Sequence, residues 1–425
     1  MSSYREIRRC RICGNEELTT VFDLGAMALT GIFPRDPEAT VERSPLELVK
    51  CGTGANSKAC GLVQLKHSVD PGILFGGDYG YRSGLNRWMV EHLEGIARHL
   101  QQAVPLRAGD IVVDIGSNDG TLLRGFAGGG IARIGIDPLG AQFQHLYDHG
   151  IQLIPEFFSS SRVLSHTGGR RAKLVTSVAM LYDLEDPLDF VEQVRETLED
   201  DGVWFCEQSY LPAMLASGSY DTVCHEHLEY YSLKQIQWMT DRAGMRILDV
   251  CFSKANGGSF AVLADKGTAN RRVNEERLSS AMTAETETGV HEAGAHQEFW
   301  ERARRQREQL RAVLREYARQ GERVFGYGAS TKGNVILQFC GITPKELPCI
   351  AEINPDKFGC FTPGTGIPIV SEEEARSKEP GAFLVLPWHF RESILAREAE
   401  YLSKGGALVF PLPEVEVCQG VALAS

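Results

Sequence analysis

Three groups of residues have types and spacings suited to chemistry. The densest is Cys224-His225-Glu226-His227-Leu228-Glu229-Tyr230-Tyr231, two histidines flanking a glutamate with tyrosines close by. Histidine titrates near neutral pH and a neighbouring carboxylate can orient it, so the cluster suits acid–base work. The HExxH spacing of a helical metal site is absent. On a helix His225 and His227 would diverge by about 200°, whereas on a strand they would share one face, with Cys224 and Glu226 on the other. The second group is Asp114-Ile115-Gly116-Ser117-Asn118-Asp119-Gly120, a Gly-containing turn after an apolar run. Such a turn lets backbone N–H groups approach a ligand closely, but it is not G-x-G-x-x-G, which argues against a dinucleotide grip and hence a nicotinamide enzyme. Asp137, 23 residues beyond Asp114, ends the next apolar run, where a carboxylate can accept both hydroxyls of a ribose. The third group is Cys10-x2-Cys13 and Cys51-x8-Cys60. Four thiolates around one tetrahedral Zn(II) would staple a segment too short to bury much apolar surface, and would leave no open position for catalysis.

These groups need elements to hold them. Ile111–Ile115, Arg133–Ile136, Lys173–Val178 and Val203–Glu207 read as strands separated by helical stretches, which predicts a mainly parallel α/β sheet. Phe75–Leu100 reads as a Gly/Tyr loop entering an amphipathic helix. Arg271–Gln320 reads as connecting helices broken within Glu285–Gln297. The last hundred or so residues repeat the scheme: strand Arg323–Tyr327, helix Ser330–Phe339, strand Pro348–Ile353, strand Ala382–Pro387, helix Glu392–Lys404 and strand Ala407–Pro411 predict a second, separate parallel sheet.

The chain has 425 residues, enough for two or three cores. A net charge of −12 and a pI near 5.5 lack the basic footprint of a nucleic-acid binder. No apolar leader follows Met1–Arg11, and no run approaches the roughly 18 apolar residues of a membrane span, so the expectation is a cytoplasmic protein with no membrane partner. In that reduced compartment the clustered cysteines among the total of 11 are read as metal ligands rather than disulfides.

DIGSNDG paired with GIDP resembles motif I and the second-strand acid of class I S-adenosylmethionine-dependent methyltransferases. Over nearly its whole length the chain resembles the sugar C-methyltransferases that act on nucleotide-linked 4-keto-6-deoxy sugars. The blocks that carry this are the N-terminal cysteines with Ala59–Leu65, Tyr79-Gly80-Tyr81-Arg82-Ser83, DIGSNDG, CHEHLEYYS, Asn256-Gly257-Gly258-Ser259-Phe260, Gly326–Asn334, Asn354-Pro355-Asp356-Lys357, Thr362–Thr365 and Leu386-Pro387-Trp388-His389-Phe390. The resemblance implies a zinc module (1–74), a Rossmann-like methyltransferase domain (75–268), connecting helices (269–320) and a C-terminal Rossmann-like sugar-nucleotide domain (321–425). It implies methyl transfer from S-adenosylmethionine to a ring carbon, C3, through an enolate formed by a base, with a non-sugar carbon acid as the alternative acceptor. His227 is then the base, Glu226 its partner and His225 a second polar contact. Tyr79, Tyr81 and Tyr182 reach the sugar. Asp114, Gly116, Ser117, Asn118, Gly120 and Asp137 hold the cofactor; Asn256, Ser330, Lys332 and Asn334 hold the sugar nucleotide, dTDP- or GDP-linked. The expected state is a monomer or weak homodimer. Three positions depart from the relatives: Cys224 stands for a tyrosine, Tyr182 for a histidine and His389 for an asparagine, which points to a rearranged site.

Overall fold

The computed structural model describes residues 4–52, 59–74, 81–126 and 128–420; Tyr79 lies outside the described residues. The fully buried run Ile111–Ile115 is the first strand of a seven-stranded sheet. It is followed along the chain by Ala132–Ile136, Ile151–Ile154, Ala172–Val178, Leu198–Ser209, Arg246–Ser253 and Ser259–Asp265. Across the sheet these stand in the order 6-7-5-4-1-2-3. The first five are parallel, and the seventh is inserted antiparallel between the fifth and sixth. The strands are apolar almost throughout because helices cover both faces. On one face lies Arg87–Ala103, whose Met89, Leu93, Ile96, Ala97 and Leu100 recur at three- and four-residue spacing and are all buried. The Asn86 side chain caps this helix, accepting the Trp88 N–H at 3.0 Å. Each large apolar side chain buried this way contributes about 1.5–3 kcal/mol relative to exposure, so the stripe holds the helix on the sheet.

The second sheet has six strands: Val324–Tyr327, Ile350–Glu352, Ile369–Ser371, Ala382–Val385, Ala407–Phe410 and Glu416–Gln419, in the order 3-2-1-4-5-6. Five are parallel; the sixth is an antiparallel edge that the sequence reading did not anticipate. The single helix expected over Glu392–Lys404 is two, Arg391–Arg397 and Ala399–Ser403. They meet at Glu398, whose buried carboxylate accepts from Tyr327 Oη at 3.0 Å and from Arg376 at 2.7 Å. In both sheets the chain reverses direction between strands 1 and 4, and ligands of open α/β sheets bind outside the carboxyl ends at such a switch.

Between the sheets run Glu275–Glu287 and Ala293–Arg319, the latter 27 residues or roughly 40 Å long. Its buried Phe299, Ala303, Leu310 and Leu314 share one apolar cluster with the six-stranded sheet and with strands Leu18–Ala28 and Arg43–Cys51. Those two strands, with Val63–Leu65, form a four-stranded antiparallel sheet whose last member is Glu229–Tyr230. His225–His227 therefore lie in the turn ahead of a strand, and neither regular geometry considered from the sequence applies to them. Among the described residues no helix is long and apolar enough to cross a membrane.

Candidate active site

A cavity of about 540 Å³ is lined by the carboxyl ends of both parallel sheets and by the Cys224–His227 turn. On the seven-stranded side, Asp114 closes the first strand, buried, its Oδ1 accepting from Thr176 Oγ1 at 2.7 Å; burial pushes its carboxyl up to about 7. Gly116 follows with φ +72, and a Cβ there would sit 3.1–3.2 Å from the Met180 side chain, so the turn admits only glycine without strain. Asn118 N–H donates to Asp137 Oδ2 at 2.8 Å and Leu139 N–H to Oδ1 at 2.7 Å. A carboxylate has about four acceptor sites, so Asp137 is held in place by two and keeps two for a ribose. Ser117 and Asn118 also line the cavity, whereas Gly120 stands behind them at the start of Thr121–Arg124. A buried acid with free lone pairs beside a Gly-walled turn fits the adenosine end of S-adenosylmethionine. Asn118 (φ 49), Ala179 (φ 54) and Asn256 (φ 53) all line this cavity, and they are three of the four non-glycine positive-φ residues among those described. Strained backbone concentrated at one site marks functional geometry.

The turn separates its two histidines. His225 Nε2 faces Ser44 O at 3.1 Å and its Nδ1 faces Thr30 N at 3.4 Å, so it ties the turn to the four-stranded sheet and does not line the cavity. His227 does line it. Its Nδ1 lies 2.9 Å from Thr222 O; a carbonyl only accepts, so Nδ1 carries the proton and Nε2 keeps its lone pair. Burial, then the Lys332 charge, lower His227 to about 3, so the ring is neutral at physiological pH. Tyr182 packs on it with ring centroids 4.4 Å apart. Glu226 is 4% exposed; Thr30 Oγ1 donates to its Oε2 at 3.3 Å, while Oε1 is without a hydrogen-bond partner among the described residues. Gly31 makes room for that carboxyl, since a Cβ at 31 would fall 2.2 Å from Oε1. Burial raises the Glu226 carboxyl, and burial with the neighbouring Glu226 raises the Cys224 thiol well above its usual range. Cys224 is thus a neutral thiol on the cavity wall.

The six-stranded sheet supplies the opposite wall. Ser330 caps the helix Thr331–Cys340, its hydroxyl accepting the Gly333 N–H at 3.0 Å, and Lys332 follows in the first turn. Lys332 Nζ donates to Asn256 O at 3.2 Å. Lys357, also on the wall, donates to Ala329 O at 2.9 Å and lies 4.5 Å over the Phe33 ring. His389 lines the cavity, held near 3 by burial and then by Lys332. Asn334 points elsewhere: it is buried and donates to Thr30 O at 2.8 Å, so it ties the sheet to the N-terminal segment rather than facing a ligand.

The sequence-stated set therefore divides. His227, Glu226, Cys224, Tyr81, Tyr182, Asp114, Gly116, Ser117, Asn118, Asp137, Asn256, Ser330 and Lys332 meet at one cavity, and His225, Gly120 and Asn334 support it from outside. Lys357, inside the Asn354–Lys357 block, and Asp183 and Glu207 receive no site role from the sequence, yet all three line the cavity. Glu207 lies near the carboxyl end of the fifth strand as Asp137 lies just beyond that of the second, and its Oε1 is 2.6 Å from His92 Nε2; the carboxyl-end rule could have found it. Asp183 also faces the cavity, raised well above its usual range by burial and then by Glu226.

Away from the cavity, Cys10, Cys13, Cys51 and Cys60 place their sulfurs within 4.8 Å of one another, with Cys10–Cys60 at 3.4 Å and Cys13–Cys51 at 3.5 Å. Zn–S bonds of about 2.3 Å set sulfurs roughly 3.8 Å apart in a tetrahedron, so the set fits zinc. The wide x8 spacing is no obstacle, because Cys51 ends one strand and Cys60 precedes the next. Leu62 N–H and Asn15 Nδ2 each donate to a sulfur at 3.4 Å, which orients the ligands.

Three family models match in succession: a zinc binding domain over residues 10–75, a methyltransferase domain over 89–250 and a C-methyltransferase C-terminal domain over 254–413. C-methyltransferase NovU of Streptomyces niveus is 30% identical over 418 residues, covering 97% of this chain and 97% of its own. Among solved structures, an S-adenosylmethionine-dependent methyltransferase from Clostridium acetobutylicum overlays with a TM-score of 0.34 at 12% identity, over 42% of this chain and 92% of its own. The CcbJ methyltransferase from Streptomyces caelestis overlays with a TM-score of 0.32 at 15% identity, over 40% and 89%.

Proposed function

The chain belongs to the S-adenosylmethionine-dependent C-methyltransferases, and from that premise we propose that it methylates C3 of a nucleotide-linked 4-keto-6-deoxy sugar. The observation that carries the proposal is His227, which lines a cavity that both sheets share, its proton fixed on Nδ1 by Thr222 O and its Nε2 without a hydrogen-bond partner among the described residues. A C4 ketone acidifies the C3 proton. Nε2 takes that proton, the C–H pair becomes a C=C bond, and the carbonyl pair moves to oxygen. When bound on Asp137 and the Gly116 turn, S-adenosylmethionine supplies an electrophilic methyl group, which passes to the carbon while the C–S pair stays on sulfur. Glu226 and Asp183 offer acceptors or shared protons to sugar hydroxyls, and Tyr81 and Tyr182 cover the ring. Cys224 stays a neutral contact, so His227 acts alone as the base.

The test needs no methyl donor. In D2O, the wild type should exchange the C3 hydrogen of one of a panel of dTDP- and GDP-linked 4-keto sugars, and with the donor should give a product heavier by one methyl group. His227→Gln should lower both rates by about 10²–10⁴-fold, while calorimetry shows unchanged donor binding. Exchange at the wild-type rate in that variant would remove His227 from the mechanism. No exchange and no product across the panel would remove the sugar.

A further inference from the structure

Two lysines from the six-stranded sheet face the cavity, and neither forms an ion pair among the described residues. Among the described residues Lys332 donates to Asn256 O alone, at 3.2 Å, and Lys357 to Ala329 O alone, at 2.9 Å, while resting on Phe33. Each ammonium has three donors, so both retain capacity for an anion. A sugar nucleotide brings one standing anion, its diphosphate, and the reaction creates another, the enolate oxygen. The surroundings of the lysines differ accordingly. Lys332 lies within electrostatic reach of His227, Cys224 and His389 on the cavity wall, and of the buried carboxyl of Asp221 behind it. Lys357 has a carboxylate of its own sheet as its charged neighbour, Glu352 on the second strand.

The backbone around Lys332 is built to aim it. Its hydrogen-bond acceptor is the carbonyl of Asn256, held at φ 53 in the left-handed region and followed by Gly257 and Gly258 at positive φ. Strain in a residue whose carbonyl positions an ammonium has a use when the ammonium must meet a particular atom. Chemistry supplies that atom. A neutral imidazole kept weakly basic by burial cannot draw a proton from carbon unless the charge arriving on the neighbouring oxygen is stabilised in the same step.

Resting on the sugar-nucleotide reading, we propose that Lys332 stabilises the oxyanion of the enolate, making it a catalytic residue rather than a phosphate ligand, and that Lys357 meets the diphosphate. As the C–H bond breaks, the proton goes to His227 Nε2 and the negative charge comes to rest on the oxygen that faces Lys332 Nζ. Carbon–carbon bond formation then returns that pair to the carbonyl, so Lys332 gains and loses no proton.

The zinc-loaded full chain is compared as wild type, Lys332→Gln, Lys332→Arg and Lys357→Gln. Three readouts are taken: calorimetric binding of dTDP and GDP, donor-free deuterium exchange, and kcat and KM for transfer. For Lys332→Gln, exchange and kcat should fall together by about 10²–10³-fold with KM and nucleotide affinity within about threefold, and Lys332→Arg should recover part of the loss. For Lys357→Gln, nucleotide affinity should fall and KM rise by about tenfold, with kcat nearly unchanged. If Lys332→Gln loses nucleotide affinity, or raises KM while keeping kcat, the assignment of Lys332 is overturned. If wild type binds neither nucleotide, the sugar-nucleotide reading and the role of Lys357 fall instead. Retained donor binding shows in every case that the variant is folded.

Discussion

The two parallel sheets place strand 1 beside strand 4 in the same way and open their carboxyl ends onto one cavity, yet they arm it with different groups, carboxyls on one side and ammoniums on the other. The seven-stranded side presents Asp114, Asp137, Asp183 and Glu207; the six-stranded side presents Lys332, Lys357 and a neutral His389. Topology decides where a ligand lies, and the residues at the strand ends decide which ligand it is. An acid-lined crevice suits the hydroxyls and cationic sulfonium of a methyl donor. A lysine-lined one suits an anionic co-substrate. The turn that carries His227 belongs to neither sheet: it leads into a strand of the N-terminal sheet and faces both.

The contrast can be attacked from its largest expected effect downward. Cys60→Ser acts on the segment outside both crevices. Zinc content should fall from one per chain to near zero, and because structural zinc contributes about 10–16 kcal/mol in small modules, Tm should drop on the order of ten degrees. An unchanged Tm in the zinc-free variant would show that the metal does not support the turn. Asp137→Ala acts on the acidic crevice alone: donor Kd should rise about 10–100-fold while dTDP and GDP binding holds, and equal losses of both would erase the distinction between the crevices. The smallest effect crosses between them. Burial and then the Lys332 charge hold His227 near 3, so in the wild type the proposed base is neutral down to low pH and kcat should show no acid limb from it above about pH 5. Lys332→Gln stabilises the imidazolium and raises that value, so the acid limb should move toward neutral pH; a limb that stays in place would mean the two walls do not communicate.

Much of this was readable from residue order. Apolar runs separated by helical stretches gave both parallel sheets, and the four cysteines gave the metal site, because those signals are local. Asp114, Gly116 and Asp137 were legible because a strand end and its turn are adjacent in the chain. The histidines were harder. His225 and His227 look equivalent in sequence, and only the positions of Ser44, Thr30 and Thr222 send one into the protein interior and the other to the cavity. Asn334 was misplaced for a related reason: its side chain is claimed by Thr30, hundreds of residues earlier. Lys357 and Asp183 have no role legible from residue order, because an isolated charge after a short strand or turn gives no periodic signal, and its value depends on which walls fold around it.

The Glu229–Tyr230 strand also bears on how the molecule is made. It pairs with Gln64 and Val63, so the N-terminal sheet emerges first during synthesis but lacks its last strand until the parallel strands of the following domain have been produced. Closing that ladder requires contact between distant parts of the chain, which is entropically slow. The turn bearing His227 is therefore anchored only when the edge of the first sheet captures the strand that follows it.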